Sequence, residues 1–444
     1  MNKVLILGSG MVAKPMVEYL LERGMHVMIA SPMKPRADEM IKGNPRGNSI
    51  YWSMDDPATL EKLVNEHDIT VSLLPYRFHT EVAKICLKYG KSLVTTSYVQ
   101  HEMEALDIQA KKAGVIFLNE IGLDPGIDHM SAMKIIDHIH SGGGKVEEFY
   151  SFTGALPAPE SADNPFGYKF SWSPRGVMLA CLNGAHYLKN GREINIDPLN
   201  LFRDRFTYDF KGAGKLEVYP NRDSLSYRDI YGIPEARTAY RGTFRYKGWC
   251  EALDVLKHLS MLDDTPNDYS GMSYSEFLAE RAGSGIRNLK EVIRIKTGAL
   301  PDSPAVKSLE WAGFFSDEKM NYNITTPFNI ASERMISKMM LKDNDRDMVV
   351  MQHIIMASYT GGRREVIKSS LLDYGSPSSD TAIARTVALP AAIAVRLILS
   401  GETNLKGVFR PVVPQIYNPV LEELKSLGIV MKEEFGLPEK EMIF

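Results

Sequence analysis

Cysteine is almost missing from this chain: Cys86, Cys181 and Cys250 stand far apart in 444 residues. No CxxC or Cys/His pairing joins them, so neither a disulfide framework nor a zinc site is indicated, and a reducing, cytoplasmic setting is expected. A charge imbalance is missing too. With 52 Lys and Arg against 55 Asp and Glu the formal net charge is -3, which gives no electrostatic reason to expect nucleic acid or an anionic membrane as partner. The N-terminus opens directly on strand-like residues without the charged region and cleavage site of a secretory leader, and no apolar run reads as long enough to cross a bilayer. Internal repeats and low-complexity tracts are lacking as well. What remains is the expectation of a soluble protein of two or three domains that acts on a small molecule.

The first 119 residues alternate short apolar runs with amphipathic stretches. VLILG, HVMIAS, ITVSLLP, SLVTTS and VIFLNE have strand length, while Pro15 to Arg23, Ala58 to Asn65, Phe78 to Tyr89 and Glu102 to Ala113 carry apolar residues at helical spacing. This βα repeat predicts an α/β fold, a Rossmann-type doubly wound parallel sheet whose ligands bind beyond the carboxyl ends of the strands. After Pro125 the character changes. A helix is predicted from His129 to His140, then a strand in VEEFYSFTG. FTYDF, KLEVY and TAYRGTFRY have the alternation of antiparallel strands with one polar face. EALDVLKHLSML, SYSEFLAERA and SLEWAGFF read as helices of a separate subdomain, and DMVVMQHIIM as a buried strand. YGSPSSD at 374–380 reads as a connecting loop, followed by a long apolar helix to Ser400 interrupted only by Pro390.

Gly8, Gly10 and Ala13 follow a predicted strand and open a predicted helix, the context in which a glycine fingerprint binds a dinucleotide. Gly8 makes the tight turn, Gly10 admits the pyrophosphate to the backbone, and Ala13 lets helix and strand pack closely. The anion is then expected on free N–H groups at the helix start. An acid that would hold the ribose of NAD is not found after the second strand, where Ser31, Pro32, Met33, Lys34, Pro35 and Arg36 stand. Lys34 and Arg36 are either solvated loop charges or partners for a 2′-phosphate. NAD or NADP is expected, with the residue chemistry leaning towards NADP.

LNEIGLDPGIDHM, residues 118–130, is the most unusual stretch. Its Asp-Pro-Gly turn after a strand end brings Asp124, Asp128 and His129 to the cofactor crevice. Asp124 is suited to hold an amine. Asp128 reads as a helix N-cap or a catalytic acid, and His129 as a structural histidine or a proton carrier. Thr95, Thr96, Ser97 and Tyr98 close the fourth predicted strand, so their hydroxyls are expected to line the same crevice. Arg175, Arg222, Arg241, Arg245 and Lys247 form a cationic supply in the second half. They either anchor a substrate with several carboxylates or pair with local acids such as Glu160, Asp163, Asp223 and Asp229.

GSGMVAKP, VSLLPY, TTSY, GLDPGIDHM, GALPAPESADNPFGYKFSWSPRGV, YPNRDS, RGTFRYKG and ARTVALPAA, in this order, resemble the saccharopine dehydrogenases of the glutamate-forming type. The similarity runs from about residue 3 to about 430. It implies a Rossmann domain over 1–128 completed by about 376–444, a mixed α+β substrate domain over 129–250 and about 342–375, and a helical subdomain over 251–341. It also implies cofactor contacts at Gly8, Ser9, Gly10, Met11, Val12, Ser31 and Ser97. Substrate contacts are implied at Ser97, Tyr98, Asp124, Arg222, Thr243, Phe244 and Arg245. Neither the residues nor the resemblance fixes the acid/base, for which Asp124 and Tyr98 are the candidates, and no metal is expected. The implied reaction is NAD(P)-dependent oxidation of saccharopine to L-glutamate and 2-aminoadipate 6-semialdehyde, or its reverse, with a homodimer as the family-level expectation. The sequence departs from the family after the second strand: NADP-using fungal members carry Arg, and NAD-using animal members an acid, where Pro32 stands. A reductase of the carboxyspermidine or homospermidine type, or a non-catalytic dinucleotide sensor, are the alternatives.

Overall fold

The computed structural model describes residues 2–377 and 380–443. The first part alternates strand and helix: β1 (Lys3–Leu7), α1 (Lys14–Glu22), β2 (His26–Ser31), α2 (Lys34–Ile41), β3 (Gly47–Tyr51), α3 (Pro57–Glu66), β4 (Ile69–Ser72), α4 (His79–Lys88), β5 (Ser92–Thr95), α5 (His101–Glu104), α6 (Asp107–Ala113) and β6 (Ile116–Leu118). Helix α7 (Ile127–Ser141) leads into β7 (Lys145–Pro157), α8 (Pro174–Ala180), β8 (Ala185–Lys189), β9 (Arg192–Ile196), β10 (Phe206–Phe210), β11 (Gly214–Pro220), β12 (Arg222–Asp223), α9 (Tyr227–Ile230) and β13 (Thr238–Arg245). A helical region follows: α10 (Trp249–His258), α11 (Tyr274–Ala282), α12 (Leu289–Thr297), α13 (Pro304–Ala312) and α14 (Pro327–Met339), with a small pair of strands, β14 (Asn267–Asp268) and β15 (Ile324–Thr325). The chain ends with β16 (Asp347–Ser358), β17 (Arg364–Tyr374), α15 (Ala382–Leu399), β18 (Gly407–Phe409), α16 (Pro414–Ser426) and β19 (Lys432–Leu437).

The first sheet has the order β18-β6-β5-β4-β1-β2-β3, with every pairing parallel. Its strands are continuous apolar runs because both faces are covered. Val4 and Ile6 of β1 join the core that contains Met16 and Val17 of α1, whereas Leu5 and Leu7 join the opposite core with Leu60 and Val64 of α3. The second sheet is ten-stranded and mixed, running β10-β11-β13-β7-β16-β17-β19 with β8, β9 and β12 off this path. Strand β16 is buried from Asp347 to Ala357. Its Val349, Met351 and Ile355 enter one core, and Val350, Ile354 and Met356 the other, so a helix layer backs each side.

The chain's far end returns to the first sheet. β18 pairs with β6 from Gly407↔Ile116 to Phe409↔Leu118, and α15 packs against α1 and α16. Asp347, at the start of β16, accepts the backbone N–H groups of Ala382 (2.7 Å) and Ile383 (3.0 Å) and so ties the mixed sheet to the N-terminus of α15.

Several expectations change. α15 is long and apolar enough, by length and composition, to cross a membrane, contrary to the sequence reading; here it is largely buried inside the protein, which accounts for its composition. The C-terminal tail does not all belong to the first sheet, since β19 pairs with β17 at the edge of the second. β13, expected in an antiparallel set, pairs antiparallel with β11 but parallel with β7. α2 and β3 escaped the periodicity because GNSIY is a half-exposed edge strand without an apolar run. Lys34 and Arg36 therefore stand in the first turn of a helix and not in a loop. β6 stops at Leu118, short of the predicted NE, because Glu120 adopts a left-handed conformation (φ 57°). Of the expected loop 374–380, Tyr374 ends β17, and 378–379 lie outside the described residues.

Candidate active site

The carboxyl ends of β1, β2, β4, β5 and β6 converge on one crevice. Gly8 turns the chain at φ 105°, where a Cβ would come within 3.2 Å of the Leu73 carbonyl oxygen, while a Cβ on Gly10 would meet nothing within 4 Å. One glycine is needed for the tight turn and the other leaves open space before the backbone, as a pyrophosphate requires. The backbone N–H groups of Met11 and Val12 have no hydrogen-bond partner among the described residues. Helix α1 begins without a side-chain cap, so its first donors are free for an anion. Ser9 and Ser31 are buried and bonded to each other (Oγ–Oγ 2.8 Å), and Ser9 Oγ also reaches the Met33 carbonyl at 3.2 Å. They brace the turn that carries the cofactor loop against the end of β2, which leaves Ser9 its backbone for a ligand. This arrangement fits a dinucleotide. Lys34 is held by Asp38 at 2.8 Å, whereas Arg36 has no ion-pair partner among the described residues.

Behind the crevice, Asp124 is the focus. Tyr98 Oη donates to Asp124 Oδ1 at 2.7 Å. Arg241 reaches across from β13, and its Nη2 lies 2.5 Å from Asp124 Oδ1, 2.9 Å from Asp128 Oδ2 and 3.2 Å from Tyr98 Oη. The guanidinium also stacks 4.1 Å from the centre of the Tyr227 ring. Burial opposes the charge of Asp124, but the guanidinium and the Tyr98 hydroxyl outweigh it and hold the carboxyl below its usual range. Burial, together with the charge on Asp124, lifts Asp128 above the usual range despite His129 and Arg241. Burial keeps the Tyr98 phenol well above its ordinary value, so it stays a donor. Tyr98 and Arg241 both sit on Asp124 Oδ1, which leaves Oδ2 clear of either, and the Thr153 hydroxyl nearby adds to the lowering of that carboxyl.

The other candidate acid and base are structural. Asp128 is not the N-cap of α7, since Gly126 occupies that position; it sits in the first turn, where its Oδ1 accepts the Gly126 N–H at 2.6 Å. His129 is fully buried, with Nε2 2.8 Å from Glu120 Oε2 and Nδ1 2.8 Å from Tyr231 Oη. Burial would lower its pKa, but Asp128 and Glu120 outweigh it and raise the imidazole above its usual value.

Three supports have no counterpart in the sequence reading. Glu120 Oε1 accepts the Val99 N–H (2.8 Å) and Arg410 Nε (2.9 Å), so it clamps the loop that carries Ser97 and Tyr98. Arg410 lies 290 residues further along the chain, a separation with no local signal. His79 bridges Ser72 Oγ (2.9 Å) and Ser97 Oγ (2.8 Å), and burial lowers its pKa to about 4, which leaves it neutral. The expected row of crevice hydroxyls is shorter than read: Thr95 is buried and bonded to Asn119 Oδ1 at 3.1 Å.

The cationic set does not act as one group. Arg222 is exposed beside Tyr98, 5.7 Å from the ring centre, and also borders an open recess of about 580 Å³ shared with Asn183, His186 and Asn195. Arg241 is internal, as described. Arg245 is buried between Tyr168 (4.9 Å) and Trp249 (5.4 Å) and bonds the Phe244 carbonyl at 2.8 Å, without a carboxylate partner among the described residues. Thr243 is half-buried, but the Phe244 ring is wholly in the core, so Phe244 can offer a ligand only its backbone. Arg175 pairs with Asn329, and Lys247 is exposed. None of these five takes the local acids suggested by sequence: Glu160 pairs with Arg346, Asp163 with Lys169, and Asp223 accepts the Leu225 N–H.

A family model described as the saccharopine dehydrogenase NADP binding domain matches residues 4–118, and one described as the saccharopine dehydrogenase C-terminal domain matches residues 122–429. The saccharopine dehydrogenase [NADP(+), L-glutamate-forming] of Schizosaccharomyces pombe is 37% identical over 98% of this chain and 99% of its own length. The mitochondrial alpha-aminoadipic semialdehyde synthase of Mus musculus is 36% identical over 98% of this chain, which spans 48% of that protein. The solved apo structure of saccharopine dehydrogenase (L-Glu forming) from Saccharomyces cerevisiae superposes with a TM-score of 0.90 at 36% identity, covering 98% of this chain and 100% of that one.

Replacing Arg241 by Met strands two buried carboxylates. At pH 7 the variant is expected to lose about 3–5 kcal/mol of stability in urea unfolding. In the intact protein Asp124 has a lowered carboxyl, so it stabilises above its ordinary value of 3.8 and that contribution is lost as the pH falls through the lower folded value. In the variant both carboxyls are raised and protonation relieves them, so the gap between variant and parent should narrow as the pH falls towards 4. A gap equally wide at pH 7 and near pH 4 would speak against the charge account.

Proposed function

Because the chain belongs to the saccharopine dehydrogenase family, we propose that it oxidises saccharopine with NADP, giving L-glutamate and 2-aminoadipate 6-semialdehyde, or runs the reverse reductive condensation. The observation that carries this reading is Asp124: a carboxylate held ionised, with Tyr98 and Arg241 both on its Oδ1, set behind a dinucleotide turn. Saccharopine is a secondary amine with three carboxylates. A site for it needs an anion for nitrogen and cations for the carboxylates; Asp124 supplies the anion, and the exposed Arg222 beside Tyr98 a cation.

What the dinucleotide supplies when bound is a hydride acceptor. The chain's own residues do the rest. Ser97, fixed by neutral His79, joins the cofactor crevice to the substrate space. Asp124, held ionised, accepts a hydrogen bond from the substrate nitrogen and so orients the amine. Tyr98 remains protonated and donates. Hydride leaves the lysine-side carbon, an imine forms, and its hydrolysis separates the two products. Holding amine, carboxylates and acceptor in one geometry supplies much of the rate.

The choice of NADP rests on the end of β2. Lys34 is already neutralised by Asp38, so the free charge of Arg36, with the Ser31 turn, is the support for a 2′-phosphate. In parallel assays at mildly alkaline pH, saccharopine with NADP should raise absorbance at the reduced-nicotinamide band, and NAD should do so at least about tenfold less efficiently, a difference of roughly 1.4 kcal/mol. No signal with either cofactor, from protein that still binds NADPH, would point to a reductase for another amine. Arg222→Ala should raise the KM for saccharopine about tenfold or more, the loss of a charge-assisted carboxylate contact, while the KM for NADP stays nearly constant. Equal rises in both would rule out Arg222 as a carboxylate anchor.

A further inference from the structure

Three buried polar atoms on the floor of the cleft have no role in this scheme. Thr153 Oγ1 on β7 and both ring nitrogens of His353 on β16 lack a hydrogen-bond partner among the described residues. His353 is 0% exposed and Thr153 7%. The strand register brings them together. Thr153 is opposite Met351, and Ser151 is opposite His353, so Thr153 and His353 are diagonal neighbours on one sheet face, roughly 7–8 Å apart. Arg241 pairs with Ser151 from the other side, and Ser369 with His353. A polar row therefore crosses four strands in a face otherwise built of residues such as Phe149, Met351 and Ile355.

An apolar residue would fill position 353 without cost, whereas an imidazole with two unmet nitrogens loses hydrogen bonds it had in water. The row also points at the reacting end of the site. Arg241, the register partner of Ser151 in this row, reaches Asp124 Oδ1 at 2.5 Å, and Thr153 stands close enough to that carboxylate to help lower its pKa, while Asp124 and Arg241 are the nearest charges in effect on the His353 ring. Burial lowers that ring's pKa to about 3, so it is neutral and offers one donor and one acceptor. The charged and titratable groups that face this space are Arg241 from β13, Asp128 and His129 from α7, Tyr98 from the loop after β5, Tyr227 from α9 and Tyr231 just after it.

We propose that His353 and Thr153 hold an internal water against the Asp124 carboxylate, making His353 a positioning residue that stabilises the charge Asp124 presents to the substrate nitrogen. A buried water needs two to four polar partners. The Thr153 hydroxyl, a ring nitrogen of His353 and an Asp124 oxygen supply three. The inference rests on the reading of Asp124 as the group that meets that nitrogen.

The test uses His353→Leu, Thr153→Val, the double variant and His353→Gln, which can still hold a water. Removing a donor from a carboxylate raises its pKa, so the acid limb of the pH profile of kcat/KM for saccharopine should move upward by at least about half a unit in each single variant. The double variant should move no further than the larger single shift, His353→Gln should stay near the parent, and NADPH affinity should not change. An unmoved acid limb in both single variants, or additive shifts in the double, would overturn the proposal. If the parent protein does not turn over saccharopine at all, the proposed function fails separately, and the water is then judged by melting temperatures alone. Shifts that are non-additive between the two sites support a shared water, and additive shifts refute it.

Discussion

Arg241 brings one positive charge from the mixed sheet to two carboxylates that follow β6 of the Rossmann sheet, and much of the site is arranged around that contact. Each buried ion left unpaired would cost several kcal/mol. The guanidinium is stacked on Tyr227, and its Nη2 lies within hydrogen-bond distance of Asp124, Asp128 and Tyr98. Its effect is on Asp124, whose Oδ1 it shares with Tyr98. The pairing also joins residues from two sheets, so the geometry of the site and the docking of the domains are the same interaction.

Around this pair lies a second set of charges. Glu120, His129 and Arg410 are linked at 2.8 and 2.9 Å, and with Asp124, Asp128 and Arg241 they bring three carboxyl groups, two guanidinium groups and an imidazole together in the interior. Such a balance lets a low-dielectric region carry ionised groups. It also explains why the C-terminal segment must return. Arg410 follows β18, the strand added to the edge of the first sheet, and without it Glu120 would lose a partner while holding the loop of Ser97 and Tyr98. The left-handed backbone at Glu120 is kept because its N–H bonds the Ser97 carbonyl (3.2 Å) and its side chain the Val99 N–H.

The βα repeat, the glycine turn and the buried strand β16 were legible in the sequence, because parallel strands covered on both faces leave uninterrupted apolar runs and a phosphate turn leaves glycines at fixed spacing. Asp124 was legible for a similar reason, as an acid in an Asp-Pro-Gly turn at a strand end. Edge elements were not: GNSIY of β3 has no apolar run, and α2 starts among Lys, Pro and Arg that read equally well as a loop. The partners of Asp124 were hidden for a different reason. Arg241 and Arg245 stand four residues apart on the same strand in similar company, yet one clamps two carboxylates and the other lies between aromatic rings. Only the tertiary register separates those fates. His79 and Arg410 contact the site from positions where nothing local marks them, and His353 looks in sequence like an interruption of an apolar strand.

The central claim is that Arg241 keeps Asp124 charged and leaves its second oxygen for the substrate nitrogen. A crystal structure with NADP and saccharopine bound tests this most directly. The account predicts the secondary nitrogen of saccharopine within about 3 Å of Asp124 Oδ2, with Arg241 still on Oδ1 and a substrate carboxylate on Arg222. A complex in which Arg241 leaves Asp124 to bind a substrate carboxylate, or in which the nitrogen lies away from Asp124, would contradict it.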